Sequence, residues 1–194
     1  RPPLPAPPAA ARRPVTSTHH GVTLVDDYAW LRARNWQDVM RDPALLDPEI
    51  RAYLEAENAY TDAALASTAA LQETLFAEMK ARLKPDDYSV PAPDGPFEYF
   101  TNFVPDGQYP RLCRRPRGSS DEQVLLDGNA EAAGKPYWDL GGKAHSPDHR
   151  LLAYAVDDKG SELFTIRIRD LATGEDLPDV IPDTRGDIEW AADS

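Results

Sequence analysis

The sequence predicts a mixed α and β fold, in which an N-terminal helical segment is followed by an antiparallel β-sheet repeat. Three observations lead to this prediction. A capped, amphipathic helical pattern occupies residues 47–84. From residue 85 onward, short runs of aromatic and β-branched residues alternate with turn signals. Finally, a short motif recurs after 45 residues near the C-terminus.

The helical pattern has a clear start and an apolar face. Asp47 can cap the helix, and Pro48 then occupies the first helical position, where a missing N–H has no cost. An apolar stripe at four-residue spacing runs along the second half, and Pro85 ends the pattern. The stripe consists of Leu71, Leu75, Met79 and Leu83, with Phe76 alongside. The alanine-rich stretch 63–70 leaves two alternatives open, one bent helix or two shorter ones.

The first 14 residues have a different character, because six of them are proline. Proline disfavours a helix and favours an extended, solvated chain. We therefore predict a disordered, proline-rich tail over residues 1–14, with a ligand for a proline-recognition domain as the lesser alternative.

Five strands are predicted in the second half of the chain. The first two form a hairpin about the turn signal Pro105-Asp-Gly107. In the last strand, apolar residues alternate with Arg167 and Arg169, which predicts one buried face and one solvated face. The five strands span residues 97–104, 108–114, 123–127, 150–156 and 162–170, and a turn at Ala172-Thr-Gly174 leads to a further short strand.

The recurring motif is His145-Ser-Pro-Asp148, which returns in outline as Trp190-Ala-Ala-Asp193. Each copy is expected to close a short strand and open a turn. A period of about 40–50 residues with four strands per unit is typical of a β-propeller blade. A ring needs about four blades or more to close, so residues 85–194 are expected to be a truncated part of a propeller.

The charge of the chain restricts its partners. The 194 residues carry a net charge of −12, which argues against nucleic acid as a partner. Residues 1–84 account for −1 and residues 85–194 for −11. The acidic half is either an ordinary solvated surface or a field that attracts cationic peptides. No run approaches the roughly 20 apolar residues of a membrane helix, so no membrane partner is expected.

The sequence offers no catalytic constellation, since no Gly-x-Ser-x-Gly motif occurs. His145 and His149 are four apart, but Pro147-Asp148 predicts a turn between them, so we expect no metal there. Residues 157–162 bear some likeness to a calcium loop, and a hairpin turn is the favoured interpretation. Cys113 has flanking arginines that could lower its pKa, yet a buried and inert thiol is expected. No cofactor, metal or catalytic residue is predicted.

Short segments spread along the chain occur in an informative order. They are residues 26–32 (DDYAWLR), 47–58 (DPEIRAYLEAEN), 82–91 (RLKPDDYSVP), 107–115 (GQYPRLCRR), 124–129 (VLLDGN), 146–148 (SPD) and 167–171 (RIRDL). In this order they resemble the N-terminal part of prolyl oligopeptidase-type (S9A) serine peptidases, over about residues 15–194. The segments 82–91 and 107–115 are similar to the oligopeptidase B branch in particular.

The resemblance implies a seven-bladed propeller that caps an α/β-hydrolase domain. Residues 15–84, the helical N-terminal segment, would pack on that domain, and residues 85–194 would form about two blades and, at Trp190, the start of the third. The hydrolase domain and its Ser, Asp and His lie outside this sequence, so the chain is expected to be an N-terminal fragment that is inactive alone.

The resemblance also implies an activity for the whole enzyme, the hydrolysis of short peptides after Arg or Lys, with the propeller controlling access. Glu162 is the candidate substrate-binding residue, as a carboxylate near the interface between the domains. The alternatives are a prolyl-specific peptidase of the same family and a stand-alone propeller-type interaction module. The family and the single cysteine favour the cytoplasm, and the proline-rich start leaves the periplasm open.

Overall fold

The computed structural model describes residues 4–192 and divides into two compact units, which separate between Leu83 and Lys84. The first three residues of the proline-rich tail lie outside the described part. So do Asp193, which ends the second motif copy, and Ser194. Within residues 4–192, no helix combines the length and the apolar character that crossing a membrane requires.

The first unit contains a β-hairpin that the sequence did not indicate. Strands β1 (Val15–His19) and β2 (Val22–Asp26) pair antiparallel, and every residue in them is exposed. His20 and Gly21 make the turn, and both have positive φ, at 51° and 80°. Positive φ is ordinary for glycine and uncommon for histidine. The hairpin falls in a segment that was predicted to be helical.

Three helices follow in the first unit: α1 (Trp36–Arg41), α2 (Pro48–Leu65) and α3 (Ala69–Lys80). The Asp47 side chain accepts hydrogen bonds from the backbone N–H groups of Glu49 and Ile50, at 2.8 and 3.3 Å. The predicted cap is therefore confirmed. A 3-10 turn at residues 66–68 separates α2 from α3, so the two-helix alternative describes this region.

The described part of the tail, residues 4–14, contains neither helix nor strand. Its last residues are nevertheless attached to the first unit. The indole N–H of Trp30 donates to the Ala11 carbonyl at 2.8 Å, and the Arg13 N–H donates to the Asp27 carbonyl at 2.8 Å. The Arg13 guanidinium also forms an ion pair with Glu49.

The second unit consists of two four-stranded antiparallel sheets, each with its strands in sequential order. The first sheet contains β3 (Ala92–Asp94), β4 (Phe97–Asn102), β5 (Arg111–Pro116) and β6 (Gln123–Asp127). A short helix, α4 (Gly128–Ala132), leads to the second sheet. That sheet contains β7 (Asp139–His145), β8 (Leu151–Asp157), β9 (Phe164–Asp170) and β10 (Asp176–Thr184).

The five predicted strands are confirmed, with shifts at their ends. Strand β5 begins at Arg111 rather than at residue 108, and β9 begins at Phe164, so Glu162 lies in a turn. Residues 185–192 contain no strand. Trp190, where the start of a third blade is predicted, donates its indole N–H to the Ala144 carbonyl at 3.0 Å.

The two sheets share an apolar core. Its buried members are Leu112, Leu125, Leu126, Leu152, Tyr154 and Leu171. Cys113 is also buried, with 1% of its surface exposed. The predicted burial of Cys113 is therefore confirmed, and that burial raises the pKa of its thiol to about 11 despite the nearby arginines.

Arg169 corrects the prediction that one face of β9 is solvated. Its side chain is only 13% exposed and donates hydrogen bonds to Glu131, Asp176 and Tyr154, at 2.9, 2.8 and 3.1 Å. Arg167, two residues earlier on the same strand, is exposed. The alternation placed Arg167 in solvent correctly, but no residue of β9 is fully buried, and the pattern could not show that acidic partners cover Arg169.

Candidate functional site

Four polar side chains meet where the β3–β4 turn approaches the β7–β8 turn. Asp94 ends β3 and Tyr99 lies on β4, while His145 ends β7 and His149 lies in the turn that follows. We call these four residues the histidine cluster. The first sheet supplies two of them and the second sheet the other two, so the cluster connects neighbouring sheets.

The β7–β8 turn brings the two histidines together. Buried Ser146 donates its hydroxyl to Asp148 at 2.6 Å, and it accepts the Leu151 N–H at 3.0 Å. His149 adopts a φ of +62°, and its N–H donates to the Ser146 carbonyl at 2.8 Å. The turn predicted from Pro147-Asp148 is thus confirmed. The same turn places the ring centroids of His145 and His149 only 5.2 Å apart.

Close contacts hold the cluster in place. His145 Nε2 lies 2.8 Å from a carboxylate oxygen of Asp94, and this hydrogen bond holds the pKa of Asp94 below its ordinary value. The Tyr99 ring stacks on His145 with centroids 3.9 Å apart, and its hydroxyl is hydrogen-bonded to His149 Nδ1 at 2.9 Å. Burial raises the pKa of Tyr99, so its phenol stays protonated at neutral pH.

Gly95 makes room for the cluster. Its φ is +51°, and a Cβ at this position would lie 2.2 Å from His149 Nε2. The His149 ring also packs edge-on against Phe97, with centroids 5.6 Å apart. A cavity of about 290 Å³ opens beside Tyr99 and His145, and both sheets contribute to its wall. The sequence drew attention only to the spacing of His145 and His149, and it could not indicate Asp94, which lies 51 positions from His145.

Glu162 lies in the turn between β8 and β9. Asp157, only 2% exposed, organises this turn by accepting the backbone N–H groups of Lys159, Gly160 and Glu162, at 2.9, 3.0 and 2.8 Å. The loop is thus a hairpin turn, as predicted, because β8 and β9 pair antiparallel. Glu162 has a φ of +58° and an exposed side chain. The turn therefore presents its carboxylate to solvent from a well-defined backbone.

One sheet of four sequential antiparallel strands is the repeating unit of a β-propeller, and this chain contains two such sheets in succession. Comparison with known families agrees with this architecture. The model of the prolyl oligopeptidase N-terminal β-propeller domain matches residues 7–194. The chain therefore belongs to this family of peptidase propeller domains.

Three similar proteins illustrate the relationship. Dipeptidyl aminopeptidase BI from Pseudoxanthomonas mexicana is 39% identical over 96% of this chain and 27% of its own length. Oligopeptidase B from Leishmania major is 28% identical, with a TM-score of 0.83 over 95% of this chain and 27% of that one. A prolyl endopeptidase is 28% identical, with a TM-score of 0.75 over 91% of this chain and 24% of that one. The chain thus spans about a quarter of the length of these relatives.

Proposed function

We propose that this chain is the N-terminal, non-catalytic part of a serine oligopeptidase that hydrolyses short peptides after Arg or Lys. The observation that supports this most directly is the family match over residues 7–194, within relatives that are named as peptidases and are about four times longer. In this proposal the Ser, His and Asp that cleave the peptide belong to another part of the protein. The chain by itself is inactive.

The helical unit offers a surface for that other part. The apolar stripe on α3 and the turn after it is largely exposed. A contiguous exposed apolar patch is uncommon on a soluble protein and usually marks a surface that contacts another domain or protein. The exposed fractions are 58% for Leu71, 45% for Leu75, 62% for Phe76, 59% for Met79 and 72% for Leu83. We propose that the α/β-hydrolase domain covers this stripe, as the family resemblance implies.

The preference for basic side chains is supported by charge. Residues 85–194 carry a net charge of −11, and a field of this sign raises the local concentration of cationic peptides. Glu162 is the proposed individual contact, because the Asp157-organised turn presents its carboxylate to solvent. The propeller would admit peptides and exclude folded proteins when the two domains separate.

Two other specificities are tied to particular relatives. Similarity to a prolyl endopeptidase supports cleavage after proline. The 39% identity to a dipeptidyl aminopeptidase supports release of dipeptides from a free N-terminus. All three candidates share the serine-peptidase chemistry and differ only in the peptide that fits.

The test uses the full-length protein that carries this sequence. We expect labelling by a fluorophosphonate probe, together with cleavage of N-terminally blocked reporter peptides after Arg or Lys. Preference for a blocked Pro reporter would replace basic with prolyl specificity, and a requirement for a free N-terminus would indicate dipeptide release. Absence of both labelling and cleavage would contradict the proposed function altogether.

The role of Glu162 is tested separately with Glu162→Gln, which removes the charge and keeps the shape. We expect kcat/KM for Arg reporters to fall about tenfold, the effect of about 1.4 kcal/mol. The value for an uncharged reporter should change little. Glu175→Gln is the matched control, since Glu175 is an exposed carboxylate in the β9–β10 turn of the same sheet. Equal effects of the two variants would remove Glu162 from the site.

A further inference from the structure

We propose that Asp94, His145 and His149 bind a divalent transition-metal ion of the zinc class, and that this ion joins the two neighbouring sheets. The three residues each offer one ligand atom, and these atoms all lie within 4.8 Å of one another. The inference goes beyond the peptidase function, since it concerns a different group of residues and needs no catalytic step.

The donor set selects the kind of ion. Two imidazole nitrogens and one carboxylate oxygen suit Zn²⁺ and similar ions, whereas Ca²⁺ and Mg²⁺ prefer sites built from oxygen alone. Zinc–ligand distances are about 2.0–2.2 Å, so the ligand atoms of a tetrahedral site lie about 3.3 Å apart. The three ligand atoms now lie within 4.8 Å of one another. Small side-chain rotations that shift these atoms by less than about 2 Å would bring them to the tetrahedral spacing. Water would occupy the fourth position.

Tyr99 can prepare His149 as a ligand. The Tyr99 hydroxyl oxygen lies 2.9 Å from Nδ1, and when Nδ1–H donates to that oxygen the Nε2 lone pair is left for the ion. Outer partners of this kind fix the tautomer and the ring orientation of histidine ligands. Gly95 keeps the same nitrogen uncovered, because any Cβ there would lie 2.2 Å from Nε2. The Asp94 side chain is 62% exposed, which gives an ion a path from solvent.

The position of the ligands indicates a structural role. Asp94 belongs to the first sheet, whereas both histidines belong to the second sheet or its turn. At present one hydrogen bond of 2.8 Å joins Asp94 to His145. An ion would replace it with coordinate bonds to all three residues, and would thereby stabilise the packing of the two sheets.

The experiment uses the full-length protein, freed of metal with a chelator and then titrated with Zn²⁺ against a chromophoric competitor. Co²⁺ is the second probe, because tetrahedral Co²⁺ has an intense visible absorption. We expect one saturable ion that is lost in His145→Ala/His149→Ala, and a Zn²⁺-dependent rise in melting temperature that is lost with it. His19→Ala is the matched control, because His19 is an exposed histidine at the end of β1.

Two further variants protect the test against misfolding. Asp94→Ala removes a largely exposed side chain, so the fold should persist while affinity falls. Tyr99→Phe should keep the stacking on His145 and weaken binding about 10- to 100-fold, as the loss of an outer partner does. Absence of stoichiometric Zn²⁺ binding would overturn the proposal and leave a cluster held by hydrogen bonds alone. Binding that persists unchanged in the double-histidine variant or in Asp94→Ala would overturn it equally.

Discussion

Replacing Arg169 by Met should destabilise the β9–β10 edge of the second sheet. The Arg169 side chain is 13% exposed and donates hydrogen bonds to Glu131, Asp176 and Tyr154. Tyr154 is 1% exposed and itself donates to Asp176 at 2.7 Å. Methionine keeps most of the aliphatic stem of arginine, so the variant removes mainly the charge and the donors.

The expected cost lies between two limits. Removing one partner of a fully buried ion pair costs about 3–5 kcal/mol, because the other charge stays buried and unpaired. Removing one partner of a surface pair costs about 0–1 kcal/mol. Glu131 and Asp176 are 26% and 27% exposed, so water can replace part of what they lose. We therefore expect a loss of about 2–4 kcal/mol, nearer to the buried limit.

Hydrogen exchange, measured by mass spectrometry on the full-length protein, reports this loss of stability locally, for the amides of individual strands. Protection of amides in β9 and β10 should fall about 30- to 1,000-fold, the equivalent of about 2–4 kcal/mol. Arg167→Met is the control, since Arg167 is exposed on the same strand, and it should change protection by no more than about threefold. A loss in Arg169→Met no larger than in the control would refute the reasoning.

Three further predictions concern turns and acid sensitivity. Gly95→Ala should cost about 2–4 kcal/mol by thermal unfolding, since it adds a clash at 2.2 Å to the strain of positive φ. Gly118→Ala is the control, because Gly118 also has positive φ but an added Cβ meets nothing within 4 Å. It should lower the free energy of unfolding by the backbone strain alone, about 1–2 kcal/mol. Asp157→Ala should cost about 2–4 kcal/mol, because a buried charged acceptor of three backbone N–H groups is lost. Exposed Asp158→Ala should cost less than about 0.5 kcal/mol. Burial would raise the pKa of Asp176, but its hydrogen-bond donors hold that pKa below the ordinary value. As pH falls, the Asp176 carboxylate is therefore protonated in the unfolded chain before it is protonated in the folded one. Its contribution to the free energy of unfolding is complete above about pH 4 and is lost as pH falls through the folded pKa. Melting temperatures of Asp176→Asn should decline less steeply in acid, and an unchanged slope would contradict the assignment.

Elements with local signals were predictable from the sequence. The cap of α2 depends on Asp47 and Pro48, which are adjacent, and the structure shows the expected hydrogen bonds. Strands β4, β6 and β8 combine residues that favour strands with turn signals at their ends. In each case the interactions that specify the element join residues that are close together in the chain.

Elements without such signals were missed or incompletely predicted. Strands β1 and β2 are exposed along their whole length, so no alternation of buried and solvated residues marks them. Strand β3 has only three residues, one of them proline. Strand β10 extends over nine residues despite Pro178 and Pro182, and its register with β9 is irregular. Proline cannot donate to the ladder, which is why the pattern indicated only a short strand here.

The histidine cluster shows why a site can escape a correct local prediction. The sequence correctly indicated a turn at Pro147-Asp148, and on a helix the four-residue spacing of His145 and His149 would have suggested chelation. A tight turn can also bring two histidines together. Here the Ser146 hydroxyl and the left-handed backbone conformation of His149 hold the turn in that form. The third ligand comes from Asp94, which only the packing of one sheet against the next brings within reach. The spacing of two histidines along the sequence therefore says little about a metal site between two sheets. The contact between the turns of the two sheets sets the geometry of such a site.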